Sequence, residues 1–224
     1  MKLSSPVTRL ILLLVLAVMI ARVIWPRLKQ AGASCPLDPA FVRLTPLEVS
    51  VLPLATRFDL PMGSAHGALT YNAQPFRIQR HLGDDLNGIG GENSDLGDAV
   101  YAAGAGRVVY AGCPGPGWGK MIIVAHRLPE GDELGPLVQT IYAHLDSFRV
   151  SVGREVYRGQ QIGTVGAAEG AYLAHLHFEV RRGPYVNPGQ GYADAPLNRV
   201  SPEKFVQWHQ GVTDVLINTP PEKP

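Results

Sequence analysis

The sequence predicts an all-β or β-rich fold behind an N-terminal membrane segment, on three observations. From about Phe58 onward, short runs of β-forming residues recur, among them residues 107–110, 121–126 and 139–142, with clusters of Gly and Pro between them. No long stretch carries the 3.6-residue apolar period of an amphipathic helix. Residues 174–180 alternate strictly: Leu176, Phe178 and Val180 fall on one face, and His175, His177 and Glu179 on the other, the pattern of a half-buried strand. The composition, 224 residues with 46% hydrophobic, 17% charged and a net charge of +1, suits one globular domain with appendages. It offers no Lys/Arg stripe, so no nucleic-acid partner is expected.

Residues 1–28 read as a signal anchor or signal peptide. Lys2 and Arg9 precede the uninterrupted apolar residues 10–21, long enough for a signal-peptide core and short for a bilayer span unless Arg22 snorkels and Trp25 anchors at the interface. Ala31-Gly32-Ala33 has the small-x-small form of a cleavage site but lies beyond Arg27 and Lys29, which favours an uncleaved anchor. Ser34-Cys35 makes no lipoprotein box, because Gly32 stands where a bulky aliphatic residue belongs. The body of the chain is therefore expected outside the cytoplasm, in the periplasm or cell envelope, held at the cytoplasmic membrane by residues 10–25. Residues 29–56, with Pro36, Pro39, Pro46 and Pro53, read as a linker carrying one or two short elements packed on the domain. Near the other end, Ser201 is placed as N-cap and Pro202 as first residue of a short helix reaching Gln210.

The chemistry centres on residues 174–180. Two imidazoles on one strand face stand with their Cα atoms roughly 6.5 to 7 Å apart, so both rings can reach one metal ion. Such a pair is common by chance, and its meaning depends on partners. Upstream, His81 and Asp85 lie four residues apart around Gly83, in a Gly- and Asn-rich stretch that reads as loop or strand end. Neutral imidazole and carboxylate are the ligands of a catalytic zinc, which takes three from the protein and leaves one position open. His81, Asp85 and one member of the pair His175/His177 complete that set. His144 ends the β-type run 140–145, so it and the other member of the pair remain for proton transfer.

His-x-x-x-Asp, then Tyr-Ala-His-Leu at 142–145, then His-Leu-His-Phe-Glu at 175–179 resembles, in order and spacing, the lysostaphin-like (LytM-type) zinc metallopeptidases of bacterial peptidoglycan. Residues 96–109 are similar to that family's Gly-x-Pro-Val-x-Ala-x-x-x-Gly-x-Val strand pair, and residues 156–166 to its Val-x-x-Gly-Gln-x-Ile-Gly-x-Val-Gly hairpin. The resemblance covers roughly residues 57–205. It implies a compact antiparallel β-sheet domain there, followed by a tail over 206–224. It also implies one zinc per chain held by His81, Asp85 and His177, with His144 and His175 as acid/base groups. The implied activity is hydrolysis of peptide bonds in peptidoglycan cross-links or stem peptides, so a peptidoglycan peptide is the expected substrate.

Three loops depart from the family pattern. Asp98-Ala99 stands where Thr-Pro is usual, residues 167–174 replace the common Thr-Gly-x-Ser-x-Gly-Pro lead into the His strand, and residues 87–94 are an insertion beside Asp85. They are expected to rim the cleft and bear on substrate choice rather than chemistry. A rival reading is a lysostaphin-like domain that has no catalysis of its own and binds a regulatory protein partner or activates other wall hydrolases. A lipoyl- or biotinyl-type carrier domain is disfavoured because no Lys lies between Met121 and Arg199. His66, His126 and His209 have no ligand-like neighbours, and His126 reads as a surface or supporting group. Cys35 and Cys113 are the two cysteines, and export would permit a disulfide.

Overall fold

The computed structural model describes residues 42–210 and Val18. The expected membrane segment, apart from Val18, lies outside the described residues, as do Cys35 and residues 211–224. Strands and short helices follow in the order β1 (Val42–Arg43), α1 (Pro46–Ser50), β2 (Thr70–Gln74), β3 (Asp84–Gly88), β4 (Ala99–Tyr101), β5 (Gly106–Gly112), β6 (Lys120–Arg127), β7 (Leu137–Phe148), β8 (Glu155–Val156), β9 (Gln161–Val165), β10 (Leu176–Arg182), β11 (Tyr185–Val186), β12 (Arg199–Val200) and α2 (Pro202–His209). The large sheet runs β2-β3-β10-β7-β6-β5-β8, with β12 added to β10 and β9 joining β7 to β4. β1 and β11 form a separate ribbon, and every ladder is antiparallel.

The sheet is buried on both faces, which explains why its central strands read as continuous apolar runs. Along β6, Ile122 and Val124 enter one core with Tyr142, Phe178 and Val180, while Met121, Ile123 and Ala125 enter a second with Ile141 and Ala143. The first core is closed by Phe58, Met62 and Val100 and by Phe205 and Val206 of α2. The second is closed by Leu44 and Leu52, which flank α1, and by Val186. Residues 42–52 thus cover one side of the sheet. α1 is started by a reciprocal cap: Glu48 N–H donates to Thr45 Oγ1, and Thr45 N–H donates to Glu48 Oε2 at 2.7 Å. α2 begins as its sequence predicts, with Ser201 as N-cap and Pro202 in the first turn.

Two expectations are corrected. β10 is not half-buried: Leu176 through Arg181 are all buried, because β10 sits between β3 and β7 and residues 187–190 cover its polar face. His126 is not at the surface. It is fully buried beside Phe58, with Nδ1 donating to Ala105 O at 2.7 Å and Nε2 2.7 Å from Thr140 Oγ1, which lies 2.9 Å from Tyr142 Oη. Alternation along β6 places His126 with Val124 rather than with the solvent. Among the described residues there is no free cysteine, and Cys113 is disulfide-bonded.

Burial pushes the His126 imidazole down to about 4. The unfolded chain, whose histidine has an ordinary pKa, binds the extra proton between that value and about 6.5. Stability therefore falls as pH drops through this window, by roughly 3 kcal/mol in total. Urea unfolding between pH 7 and pH 4 should show the loss, and His126→Gln, which cannot titrate, should flatten it. Parallel pH profiles for the two proteins would refute the assignment.

Candidate functional site

The register of β10 assembles the site. His177 pairs with Asp85 of β3 on one side and with Ala143 of β7 on the other. His81, at the end of a tight turn at 78–80, is held by a bridge to Tyr192 and by Leu82 N–H donating to Gly191 O. The imidazole of His81 therefore lies edge-on to that of His177, with ring centroids 4.7 Å apart. Gly83 is required here, because a Cβ would stand 2.6 Å from Phe178 O and 2.9 Å from the His177 ring.

Three atoms converge. His177 Nδ1 is 3.0 Å from Asp85 Oδ1 and 2.9 Å from His81 Nε2, and His81 Nε2 is 3.3 Å from Asp85 Oδ1. The far nitrogen of each ring is engaged elsewhere. His81 Nδ1 donates to Gln74 O at 3.1 Å, and His177 Nε2 donates to Glu179 Oε1 at 3.0 Å. With both rings neutral, the form that binds a metal, the inward atoms would be lone pairs, and with the carboxylate oxygen they would make three acceptors facing one another. Such a set calls for a cation. Its separations are close to the roughly 3.3 Å between ligands on a tetrahedron with 2.0 Å bonds. The surroundings favour positive charge as well. Burial opposes it, but hydrogen bonds and charge from Asp85 and Glu179 carry His177 up to about 9. Asp85 is held well below the usual carboxylate range by His177 and His81, against its own burial. His81, Asp85 and His177 are thus the group that could hold a metal ion, and Asp85 also belongs to a looser group with His144 and His175.

His144 and His175 stand beside this cluster. His144 has a left-handed backbone, with φ of 63°, rare for a residue other than Gly and frequent at functional sites. Its N–H leaves the ladder to donate to Trp118 O at 2.9 Å. This break in alternation returns Leu145 to the first core and leaves the His144 ring 5.5 Å from His177 and 4.8 Å from His175. His144 Nδ1 donates to Trp118 O at 3.2 Å and His175 Nδ1 to Leu173 O at 2.8 Å, so both rings keep Nε2 open. His175 Nε2 is 3.6 Å from Asp85 Oδ1. Burial, then the neighbouring His177 and His175, push His144 down to about 3, so it is neutral at ordinary pH.

A cleft of about 300 Å³ opens over these groups, walled by Trp118, Tyr172 and Tyr192. The Trp118 indole N–H donates to Gly189 O at 3.2 Å and its ring meets His177 edge-on. Behind His177, the buried Glu179 is bound by Arg181 Nε at 2.6 Å and Arg199 Nε at 3.2 Å. Burial would raise this carboxyl, but Arg181 above all and then His177 hold it at about 2. Sequence reasoning left out Glu179 and Arg181, although both share the alternating face of His177. Arg199, Trp118 and Tyr192 carry no local signal. His66 and His209 lie apart from the cluster, hydrogen-bonded to Asp59 and Asp132.

This β-sheet domain carries its His/Asp cluster at the floor of an aromatic cleft. The model of peptidase family M23 matches residues 85–188, and the chain belongs to that family. A lipoprotein NlpD of Yersinia enterocolitica is 40% identical over 93 residues, which cover 41% of this chain and 87% of that protein. The murein hydrolase activator NlpD of Escherichia coli K12 is 42% identical over 93 residues, covering 41% and 22% of the two chains. The uncharacterized lipoprotein YgeR of the same organism is 40% identical over 85 residues, covering 38% and 30%. The match to several of these curated relatives therefore takes in less than a third of their length. Lysostaphin of Staphylococcus simulans superposes with a TM-score of 0.44 at 24% identity, over 68% of this chain and 54% of that one.

The carboxylate behind His177 gives a prediction. Glu179→Gln weakens the acceptor that fixes which His177 nitrogen carries the proton, and metal affinity should fall about 10- to 100-fold. Competition with a chromogenic chelator measures it, and an unchanged affinity would remove Glu179 from any role at the cluster.

Proposed function

We propose that this chain is a zinc-dependent endopeptidase that hydrolyses peptide bonds in bacterial cell-wall peptidoglycan, with residues 57–205 as its peptidase domain. The observation that carries this reading is the convergence of His81 Nε2, Asp85 Oδ1 and His177 Nδ1, all lone-pair donors, beneath a cleft that also holds two histidines with open Nε2 atoms. Two imidazoles and one carboxylate are the ligand types of a catalytic zinc with one position left open. Zinc bound there supplies the Lewis acidity that polarises a scissile carbonyl and acidifies a nearby water.

The remaining work falls to the chain's own groups. His175, the more accessible of the two free histidines, accepts the proton at Nε2 from the water that adds to the carbonyl and returns it to the departing amine. His144 stays neutral and offers Nε2 as a hydrogen-bond acceptor, with its ring fixed by Trp118. Trp118, Tyr172 and Tyr192 form walls that accept an extended peptide and limit bulk water. No Glu stands at the cluster to act as base, since Glu179 is locked behind His177 by two arginines. Residues 1–28 serve as signal anchor and residues 29–56 as linker, which puts the domain outside the cytoplasm against its substrate.

A second reading has support among the relatives, which include a murein hydrolase activator. In that reading the same cleft binds a regulatory partner, and another hydrolase does the cutting.

The zinc-loaded full chain should release new amino groups from purified sacculi. His81→Ala, Asp85→Ala and His177→Ala should each lose most of the zinc, whereas His144→Ala and His175→Ala should keep about one per chain while turnover drops by roughly two to four orders of magnitude. Zinc by plasma mass spectrometry and amine release, read side by side, decide this. Wild-type zinc content in Asp85→Ala and His177→Ala would refute the ligand set. A zinc-loaded chain that cuts nothing alone but accelerates a second murein hydrolase would establish the activator reading instead.

A further inference from the structure

Two of the loops that depart from the family pattern, residues 87–94 and 167–174, meet at the residue before His175. Ala174 N–H donates to Asn93 Oδ1 at 2.8 Å, and Ala174 O accepts from Asn87 Nδ2 at 3.1 Å. Asn87 is itself held, donating to Asp95 Oδ2 at 3.1 Å. Both backbone groups of Ala174 are therefore taken by side chains, Asn93 of the inserted loop and Asn87 near the end of β3, rather than by the backbone of a neighbouring strand.

The Ala174 N–H belongs to the same peptide unit as Leu173 O, the atom that accepts the His175 Nδ1 proton at 2.8 Å. A peptide unit is rigid and planar, so fixing its N–H fixes the direction of its carbonyl. That carbonyl decides which His175 nitrogen carries the proton and where the ring points. The next unit, through Ala174 O, is fixed by Asn87 in the same way.

We infer that Asn93 is a positioning residue for His175: by holding the Leu173–Ala174 peptide it keeps His175 in the tautomer with Nε2 open toward the cleft, and the inserted loop exists in this chain to do so. The inference rests on the proposed proton-carrying role of His175 for its catalytic consequence, but not for its structural content. Asn93 is exposed, while Asn87 and Asp95 are buried. Truncating Asn93 therefore removes one hydrogen bond without opening the core.

The test uses the zinc-loaded full chain and compares wild type with Asn93→Ala and Asn93→Asp. In Asn93→Ala the Ala174 amide should exchange its hydrogen about tenfold faster, and the ¹⁵N resonances of the His175 ring should move from a single tautomer toward a mixture. Turnover on sacculi should fall about tenfold with KM and zinc content unchanged. Asn93→Asp, which keeps an acceptor oxygen, should restore all three. An Ala174 amide and a His175 ring in Asn93→Ala that match wild type overturn the inference. If the wild-type chain releases no amine, the peptidase reading fails, and the amide and ring measurements still decide this one.

Discussion

The hydrogen bond from His177 Nε2 to Glu179 is the interaction on which the site depends. It fixes His177 in the tautomer whose Nδ1 lone pair faces His81 and Asp85, and without that tautomer the three inward atoms are not a ligand set. Glu179 does this while wholly buried, where an unpaired carboxylate would be driven to protonate. Arg181 and Arg199 prevent that, and they also reach past it. Arg181 donates to Asn187 O and Pro188 O and Arg199 to Gln190 O, so the pair that keeps Glu179 charged also holds residues 187–190 over the sheet. Gly189 in that loop accepts the Trp118 indole N–H, and Gly191 anchors the residue after His81. One buried charge cluster thus sets the His81, Asp85 and His177 group from behind and one wall of the cleft from the side.

The sheet supplies the precision. β10 is central, with β3 and β7 bonded to its two edges, so neither Asp85 nor Ala143 can slip without carrying every neighbour to the wrong face. His177 and Asp85 are far apart in sequence, yet they sit opposite one another in a ladder. By contrast, His144 and His175 lie at places where regular pairing stops. His144 takes a left-handed backbone at a break in β7, and His175 precedes β10, reached only by a bridge to Gly166. Asp85 and His177 are held by ladders, and the rings of His144 and His175 by local hydrogen bonds to Trp118 O and Leu173 O. Rigid strands suit a fixed coordination geometry, whereas a break within a strand and a position just before one let the two rings be aimed independently of the pleat.

The relatives of this chain include proteins described as peptidases and proteins described as murein hydrolase activators. In this chain Asp85, His177 and both flanking histidines line one cleft, and His81 is buried against His177. Nothing in the fold alone requires that: Phe178, Tyr142 and Val180 would pack the first core equally well if the opposite face of β10 were polar in any other way.

The sequence by itself determined the β-rich class, because Gly and Pro punctuation and short apolar runs are local properties. It also brought forward His81, Asp85, His144, His175 and His177, because their chemistry is rare and their order along the chain matches a family motif. Alternation at 174–180 correctly separated the core face from the site face, but it could not say that the site face is buried as well. That depends on residues 187–190, which approach only after folding. Spacing left His175 and His177 equivalent, since both point the same way from one strand. Tertiary structure distinguished them, by placing Glu179, Asp85 and His81 around the second and the Leu173 carbonyl against the first. The same holds for Arg199, Trp118 and the Asn93 contact to Ala174, whose partners lie 20, 71 and 81 residues away. A hydrogen bond across such a distance leaves no periodicity in the chain, so only the folded register could reveal it.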